Sequence, residues 1–354
     1  MYKINRKHKV LLIGPMPPPI GGDTISFHKL VNNDIFNRFF DIKVISTRPV
    51  HLRAERDIID VVRFFLVMFE LSLHIFKYKT IFFNINRGFA VTGYLIPFLL
   101  CKLLRRKIIL KTFGGGLDRL IDTLHPLHKK IVIRVFKSTD LLLPQTHQLC
   151  KWFKGEGFKT YLFPNWVPDD YLQYKNIKNK KNFIFIGQIK REKGVFNLIN
   201  SMHLFPDVEC HFFGPILNCD KNEFFKEIKL SKNCRYHGIL AREHLGDTIE
   251  NYKFLILPTF YPGEGIPAVL LESIAKGVPV ISSRKGGITD IIDSDNGILF
   301  DTEKELTKAI SIANNMNIQN YKKMANAGVR TAEGYTDTVV IANLCQRLNV
   351  LINA

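Results

Sequence analysis

The stretch PGEGIPAVLLESIAKGVPVISSRKGG, residues 262–287, decides the predicted fold of this chain. The apolar run at 254–260 that precedes it has the length of a buried parallel strand, and its own VPVISS segment is typical of a second strand. Between them, Pro267 suits the first turn of a helix over 268–276, and Gly277 suits the end of that helix. Strand, glycine loop, helix and strand in this order predict a βαβ unit of a parallel sheet.

Two carboxylates, Glu264 and Glu272, lie eight residues apart in this apolar segment. A charged group on an apolar helix costs free energy unless something pairs with it. The loop formed by Gly263 and Gly265 leads to the helix N-terminus at Pro267, where unpaired N–H groups and the helix dipole favour phosphate. A nucleotide-sugar, with its diphosphate between a ribose and a sugar, fits this pattern. The alternative is a loop carboxylate and a solvated helix carboxylate with no ligand.

The segment resembles the donor-binding signature of the retaining glycosyltransferases of family 4, which have the GT-B fold. Glu264 and Glu272 match the Glu-x7-Glu motif of that family, and the glycine pair at 286–287 matches its glycine pair. The resemblance implies that Glu264 contacts the donor sugar and helps catalysis, whereas Glu272 binds the ribose. The other donor-binding candidates in this segment are Gly263, Gly265, Ile266, Pro267, Gly286 and Gly287.

A second signature lies upstream, at residues 182–202, where a strand, a loop and a helix are predicted. In the family, this loop carries an arginine after its first glycine, here Gly187, and a lysine before its second, and both cations bind the diphosphate. Lys193 matches the lysine, but Gln188 stands where the arginine is expected. Two cations offset a diphosphate better than one. Arg191 is the nearby candidate for the missing charge.

Two glycine pairs in the N-terminal half are candidates for a loop that contacts donor and acceptor. Gly21 and Gly22 follow the first predicted strand, and Gly114 and Gly115 follow a later one. Glycines allow the backbone to approach a ligand closely. Phe113 stands where many family members carry a histidine, and no histidine is assigned a catalytic role. From this region alone, a dinucleotide-binding fold stays open.

The family resemblance implies an α/β protein of two Rossmann-like, doubly wound parallel-sheet domains that face a central cleft. The length of 354 residues agrees with two domains. We predict an acceptor-binding domain over 1–172, a donor-binding domain over 181–335, and a C-terminal helix over 336–354 that packs back on the first domain. The six cysteines have no metal-ligand spacing and indicate a reducing compartment. No metal and no cofactor are predicted.

Positive charge is concentrated in the first half of the chain. Residues 1–170 hold 27 Lys plus Arg against 13 Asp plus Glu, and the remainder holds 23 against 19. The segments 53–79 and 89–107 combine apolar runs with basic ends, which suits either buried Rossmann helices or a peripheral surface on an anionic membrane. The basic start of the chain lacks the features of a signal peptide. We therefore predict a cytoplasmic protein, peripheral on the inner face of the cell membrane.

These observations predict a retaining, metal-independent glycosyltransferase. It would move a sugar from a UDP- or GDP-linked donor to a hydroxyl of a glycan acceptor, which we expect to be lipid-linked and part of a bacterial lipopolysaccharide or capsule. One alternative is a GT-B epimerase or phosphorylase, and another is a non-enzymatic binding protein. Nucleic acid would explain the positive charge, but not the two carboxylates, and the sequence holds no nucleic-acid-binding motif. Nucleic acid is therefore not a predicted partner.

Overall fold

The computed structural model describes residues 7–18, 21–47, 58–85, 95–172 and 180–353. The chain divides into two compact units. The first unit comprises Met1–Asn165 and Asp337–Ala354, and the second comprises Trp166–Thr336. Each unit contains one parallel sheet, with strands joined through helices. The prediction of two doubly wound α/β domains is therefore confirmed.

The sheet of the first unit has the strand order β2-β1-β3-β4-β5, and all four pairs are parallel. Its strands are β1 (His8–Gly14), β2 (Phe40–Ser46), β3 (Thr80–Ile85), β4 (Lys107–Thr112) and β5 (Leu141–Leu143). Its helices are α1 (Gly22–Val31), α2 (Asp34–Phe39), α3 (Ile58–His74), α4 (Leu95–Leu103), α5 (Leu117–Asp122), α6 (Pro126–Lys137), α7 (His147–Gly155) and α14 (Asp337–Asn353).

The core of the first unit lies between this sheet and its helices. Every residue of β3 is buried, as expected for a central parallel strand that is covered on both faces. The last helix, α14, packs against α2. Lys107 donates to the carbonyl oxygens of Leu351 (2.7 Å) and Ile352 (3.1 Å). A cation at these carbonyls complements the negative end of the α14 dipole.

The sheet of the second unit has the order β11-β10-β9-β6-β7-β8, again with parallel pairs only. Its strands are β6 (Phe183–Ile186), β7 (Cys210–Phe213), β8 (Cys234–Tyr236), β9 (Phe254–Leu257), β10 (Val280–Ser283) and β11 (Gly297–Phe300). Its helices are α8 (Val195–Met202), α9 (Lys221–Leu230), α10 (Leu245–Ile249), α11 (Ala268–Ala275), α12 (Glu305–Asn314) and α13 (Ile318–Glu333).

The central prediction of a strand, loop, helix and strand is confirmed by β9, α11 and β10. Helix α11 ends at Ala275, one residue before the predicted end, and Gly277 has a φ of +63°, in the left-handed region that ends many helices. Residues 166–172 lie with the second unit, because the Val167 N–H donates to the Tyr335 carbonyl (2.9 Å) and the turn at 169–172 packs on α11 and α13.

Within the described ranges of the chain, no helix is both long enough and apolar enough to cross a bilayer.

Candidate active site

The candidate site lies where the chain reverses its direction across the second sheet. From β6 the chain proceeds through β7 to β8 at one edge, and it then returns to β9, which pairs with the other side of β6. In open α/β sheets, ligands bind outside the carboxyl ends of the strands at such a switch point. The loops that follow β6 and β9 are the two loops in which the sequence predicted donor-binding residues.

Lys193 and Glu264 form an ion pair at this switch point. Their Nζ and Oε2 atoms are 2.5 Å apart, and their side chains are 14% and 8% exposed. The Thr259 hydroxyl donates to the same Oε2 at 2.6 Å. Two donors on one oxygen, one of them charged, hold a carboxylate in a fixed orientation. The structure thus brings together one residue from each predicted signature.

Two glycines allow three loops to meet around Glu264. Gly194 has a φ of +73°, and a Cβ atom there would lie 2.0 Å from the Pro258 carbonyl oxygen. Gly286 has a φ of +55°, and a Cβ atom there would lie 2.0 Å from the Glu264 carbonyl oxygen. No side chain fits at either position, because a real Cβ does not approach backbone so closely. The loop after β6 and the loop after β10 are therefore in backbone contact with the β9 loop.

The remaining residues of the β9 loop lead into α11. Gly263 lies against the Tyr261 ring, and the carbonyl of Gly265 accepts from the Gly287 N–H at 3.0 Å. Ile266 is buried in the core of the unit. Pro267 is the N-cap, and among the described residues no side chain caps this end of the helix. The Leu270 N–H donates to the Pro267 carbonyl at 3.1 Å, and the positive end of the helix dipole favours an anion at this terminus.

A second lysine, Lys190, lies beside the same loop. Its side chain is 11% exposed, and its Nζ lies 3.9 Å from the centre of the Tyr261 ring. The Lys193 Nζ lies 5.6 Å from the same ring. Lys190 also pairs with Glu192 at 3.3 Å. Two lysines therefore contact one aromatic ring in the loop that carries Glu264.

Arg191 is not brought into this cluster. Its guanidinium donates to Glu223 at 2.6 Å and packs over the Phe196 ring, and the side chain is 61% exposed. This ion pair raises the pKa of Arg191, chiefly through the hydrogen bond to Glu223. Gln188 is half-buried in the same loop, and the Gly187 N–H donates to the Phe213 carbonyl at the end of the sheet.

Glu272 lies inside the unit, with 2% of its side chain exposed. Arg242 donates to its Oε1 at 2.6 Å. The side chain of Arg242 is 40% exposed, so the pair connects a buried carboxylate to the surface. Burial, and secondly the charge of Glu272, raises the pKa of Tyr171 to about 12. Tyr171 therefore keeps its proton at neutral pH.

Sequence reasoning missed Thr259, Lys190 and Arg242 as site residues. Thr259 lies two residues after β9, and its position at the carboxyl end of a central strand was the available signal. Lys190 was missed because the family's second cation is an arginine, and Arg191 lies in the same loop. For Arg242 the only signal was indirect, because a carboxylate on an apolar helix requires a cation from some other element.

The glycine candidates of the N-terminal half all lie in the first unit. The Gly21 N–H donates to the Thr24 hydroxyl at 2.9 Å, at the start of α1. A Cβ atom at Gly22 would lie 3.2 Å from the Phe113 ring. Gly114 has a φ of +81°, and its N–H donates to Gln145 at 3.0 Å; Gly115 is buried beside it. The two loops meet through Phe113, at the carboxyl ends of β1 and β4.

Comparison with known families gives a match within the second unit. The sequence model of the family described as Glycosyl transferases group 1 matches residues 169–331. This range includes Lys190, Lys193, Arg242, Glu264 and Glu272. The resemblance to group 1 glycosyltransferases is therefore confirmed over the part of the chain that carries the charged pairs.

Two curated relatives align over part of the chain. The sulfoquinovosyl transferase SQD2 of Arabidopsis thaliana is 28% identical over 170 residues, which is 46% of this chain and 32% of that protein. The putative teichuronic acid biosynthesis glycosyltransferase TuaC of Bacillus subtilis is 23% identical over 197 residues, which is 50% of this chain and 48% of that protein. The chain thus spans between a third and a half of the length of these relatives.

Solved structures match nearly the whole chain. HepE of Anabaena, determined in complex with UDP-glucose, superposes with a TM-score of 0.72 at 14% identity, over 97% of this chain and 99% of that one. At this identity the match concerns the fold. Both units have the fold of GT-B glycosyltransferases.

Proposed function

We propose that the chain is a retaining glycosyltransferase that uses a nucleotide-sugar donor, and the match of residues 169–331 to the group 1 glycosyltransferase model supports this proposal. The observation that carries this proposal is the pairing of Lys193 with Glu264 at the switch point of the second sheet, with Glu272 on the helix that follows. A cation, a fixed carboxylate and an uncapped helix N-terminus are the groups that a sugar diphosphate requires.

Glu264 is the proposed catalytic residue. Its carboxylate contacts the donor sugar, where positive charge develops at the anomeric carbon as the bond to phosphate breaks. The hydrogen bond from Thr259 keeps the carboxylate in place when Lys193 turns toward the phosphate. Because Lys193 pairs with Glu264 here, the diphosphate competes with this carboxylate for the same ammonium group.

Lys193 and Lys190 are the proposed cations for the diphosphate leaving group. The family's second cation is an arginine at the position of Gln188, and Lys190 lies two residues further along in the same loop. Its contact with Tyr261 keeps it beside the Glu264 loop. The N-terminus of α11 adds a partial positive charge without a metal ion. We therefore propose a metal-independent reaction, in which the contribution of Arg191 is secondary.

Glu272 is proposed to accept hydrogen bonds from the ribose hydroxyls of the donor. Arg242 donates to the carboxylate and holds it in place within the apolar interior of the unit. The glycines at 286–287 bring backbone against the Glu264 loop and leave space for the sugar. The donor base is UDP or GDP in this proposal, and the UDP-glucose complex of HepE supports the choice of UDP as the first probe.

Retention of anomeric configuration follows if the acceptor hydroxyl attacks from the side of the leaving phosphate, which then takes its proton. This path needs no strong protein base, and it is compatible with Phe113 at a position where family members carry a histidine. The stabilisation comes instead from the lysines and the helix N-terminus. Glu264 supplies the negative charge on the sugar side.

The acceptor is proposed to be a glycan on a lipid carrier, at the inner face of the cell membrane. Support comes from the surplus of Lys and Arg in residues 1–170 and from the similarity to TuaC, a putative teichuronic acid biosynthesis enzyme. An anionic membrane attracts such a basic surface. A role in synthesis of a bacterial cell-surface polysaccharide follows from this acceptor class.

The test has two steps. A thermal-shift screen against UDP, GDP, ADP and their common sugars identifies the donor, and proton NMR then follows the anomeric configuration of the product formed with lipid-linked acceptors. We expect stabilisation by one nucleotide class and a product that retains the donor configuration. Inversion would contradict the retaining mechanism, and epimerisation or phosphorolysis of the donor without an acceptor would replace the transferase proposal.

A further inference from the structure

The first unit exposes large apolar side chains on the outer sides of two helices. On α3 and just after it, Phe65, Phe69 and Phe76 are 64%, 62% and 68% exposed. On α4, Leu99 and Leu103 are 62% and 80% exposed. Phenylalanine and leucine are among the residues that most strongly favour burial, so five of them at such exposure require an explanation.

These side chains share one face of the unit. The connections β2-α3-β3 and β3-α4-β4 cross the sheet in the same direction, and right-handed crossovers place both helices on the same side. The inner sides of the helices confirm this arrangement, because Leu71 and Ile75 of the α3 segment and Phe98 and Cys101 of α4 belong to one buried core. The outer sides of α3 and α4 therefore form one layer over that core.

Elsewhere the exposed apolar side chains include a pair on α6, Leu127 and Ile131, and residues on separate elements. In the second unit, Leu204, Leu230 and Ile239 are 68%, 63% and 60% exposed, but each follows or ends a different element. Single exposed apolar residues of this kind are common on soluble proteins. A group on adjacent helices is different, because contiguous apolar patches mark surfaces that bind a membrane or another molecule.

Basic residues border the apolar layer at one end. Lys77 and Lys79 follow α3, and Arg105 follows α4, and all three are exposed. The two segments adjoin, because the Lys107 N–H donates to the Lys79 carbonyl at 2.9 Å. Among the α3 residues whose side chains the structure describes, Glu70 is the exposed acidic one. The apolar layer thus ends in a cluster of cations, an arrangement that complements anionic lipid headgroups.

We propose that the outer face of α3 and α4 inserts into the surface of an anionic lipid bilayer. Phe65, Phe69 and Phe76 enter the boundary between headgroups and acyl chains, and the cations of Lys77, Lys79 and Arg105 contact the lipid phosphates. Insertion is shallow, since the inner sides of both helices are packed in the protein core. The inference takes up the membrane location of the proposed function, but it does not depend on the transfer chemistry.

The experiment is sedimentation of the full chain with phosphatidylglycerol-rich vesicles and with phosphatidylcholine vesicles. The triple variant Phe65→Ser/Phe69→Ser/Phe76→Ser is expected to bind the anionic vesicles at least about tenfold more weakly than the unmodified chain. The matched control is Leu204→Ser/Leu230→Ser/Ile239→Ser, which removes three equally exposed apolar side chains and should bind as the unmodified chain does.

The basic cluster is tested separately with Lys77→Gln/Lys79→Gln/Arg105→Gln. This variant should lose about 10- to 100-fold of its binding to anionic vesicles and little of its binding to neutral ones, because each cation near the surface contributes only where the lipid is charged. If the phenylalanine variant misfolds, Phe69→Trp replaces it. The fluorescence of the introduced indole should shift to shorter wavelength on vesicles and be quenched by brominated acyl chains.

Three results would overturn the inference: no binding of the unmodified chain to anionic vesicles, equal binding by the phenylalanine variant, or an emission of the Phe69→Trp variant that vesicles leave unchanged. A fall in oligomer size in the phenylalanine variant without lipid, at unchanged vesicle binding, would assign the face to a second copy of the chain. Vesicle binding as expected, with no transfer from any nucleotide-sugar, would contradict the proposed function alone.

Discussion

The two units have the same plan, a parallel sheet whose strands are joined through helices. They differ in the arrangement of their charged and exposed apolar side chains. In the second unit, charged side chains near the switch point are paired, as in Lys193–Glu264 and Arg242–Glu272. In the first unit, the buried Lys111 contacts the Ser26 hydroxyl and the Phe163 ring, and the helices expose apolar side chains beside basic ones. In our proposals, the paired charges of the second unit act on a bound donor, and the surface of the first unit binds a lipid bilayer.

The largest effect is expected from the carboxylate at the switch point. Glu264→Gln keeps the shape of the side chain and its hydrogen bond from Thr259 but removes the negative charge next to the donor sugar. Turnover should fall about 1,000-fold, in the range seen when a preorganised electrostatic group is removed. The measurement is release of nucleoside diphosphate under saturating donor, with circular dichroism as the check on folding.

The matched control is Glu223→Gln, which also removes the carboxylate of an ion pair, but one with exposed partners on the surface. Its turnover should stay within about twofold of the unmodified chain, because exposed ion pairs contribute little. Comparable losses in both variants would mean that Glu264 has no special role.

The next effect distinguishes the cations. Lys193→Met should lower turnover about 100-fold and Lys190→Met by less, because both remove charge beside the Glu264 loop. Arg191→Gln should change turnover by no more than about twofold, because its guanidinium pairs with Glu223 at the surface. Steady-state rates with the identified donor decide the order. A larger loss for Arg191→Gln than for Lys190→Met would reverse the assignment of the second cation.

A smaller effect concerns the buried pair. Arg242→Gln leaves the buried Glu272 carboxyl group without its cationic partner, and we expect a loss of about 1–2 kcal/mol in the free energy of unfolding, reduced by the partial exposure of Arg242. The double variant Arg242→Gln/Glu272→Gln should recover part of that loss, since no charge is then buried alone. Urea unfolding of the unmodified chain, of Arg242→Gln, of Glu272→Gln and of the double variant measures the coupling. Additive losses would show that the pair does not act as a unit.

The smallest effect concerns Lys111, a buried lysine of the first unit. Burial, and secondly Lys29, lowers its pKa from 10.5 to about 7. The unfolded chain therefore binds more protons between these values, so this residue makes the free energy of unfolding rise with pH across the window from 7 to 10.5. Relative to the unmodified chain, Lys111→Met should be most favoured below pH 7, and the difference should shrink at pH 9. The urea unfolding midpoints of both proteins, measured below pH 7 and at pH 9, test this expectation. A difference in midpoint between the two proteins that is the same at both pH values would contradict it.

The second unit was predictable because its signals are local. The segment from β9 through α11 to β10 holds its apolar runs, helix stop and two carboxylates within 30 residues. The partners of those carboxylates were harder to predict from the sequence. Arg242 is 30 residues from Glu272 in sequence, and only the packing of another element brings them together. Arg191, chosen for its charge and proximity in sequence, pairs with Glu223 of α9 instead.

The first unit was predicted in outline only. The charge surplus and the mixed segments at 53–79 and 89–107 allowed either buried helices or a membrane surface. In the structure, one side of α3 and α4 is buried in the core, and the other side exposes apolar side chains. Periodicity alone did not separate the two sides, since both are apolar. The predicted residues at 53–57 and 89–94 lie outside the described ranges.

The central claim is that the second unit binds a nucleotide-sugar through its two signature carboxylates. Calorimetric titration of the donor found in the thermal-shift screen into the unmodified chain and into Glu272→Gln tests it most directly. We predict one site per chain and a loss of about 10- to 100-fold in affinity in the variant, as expected for a lost hydrogen bond to a charged group. Equal affinity in both proteins, or no binding of any nucleotide-sugar, would contradict the claim.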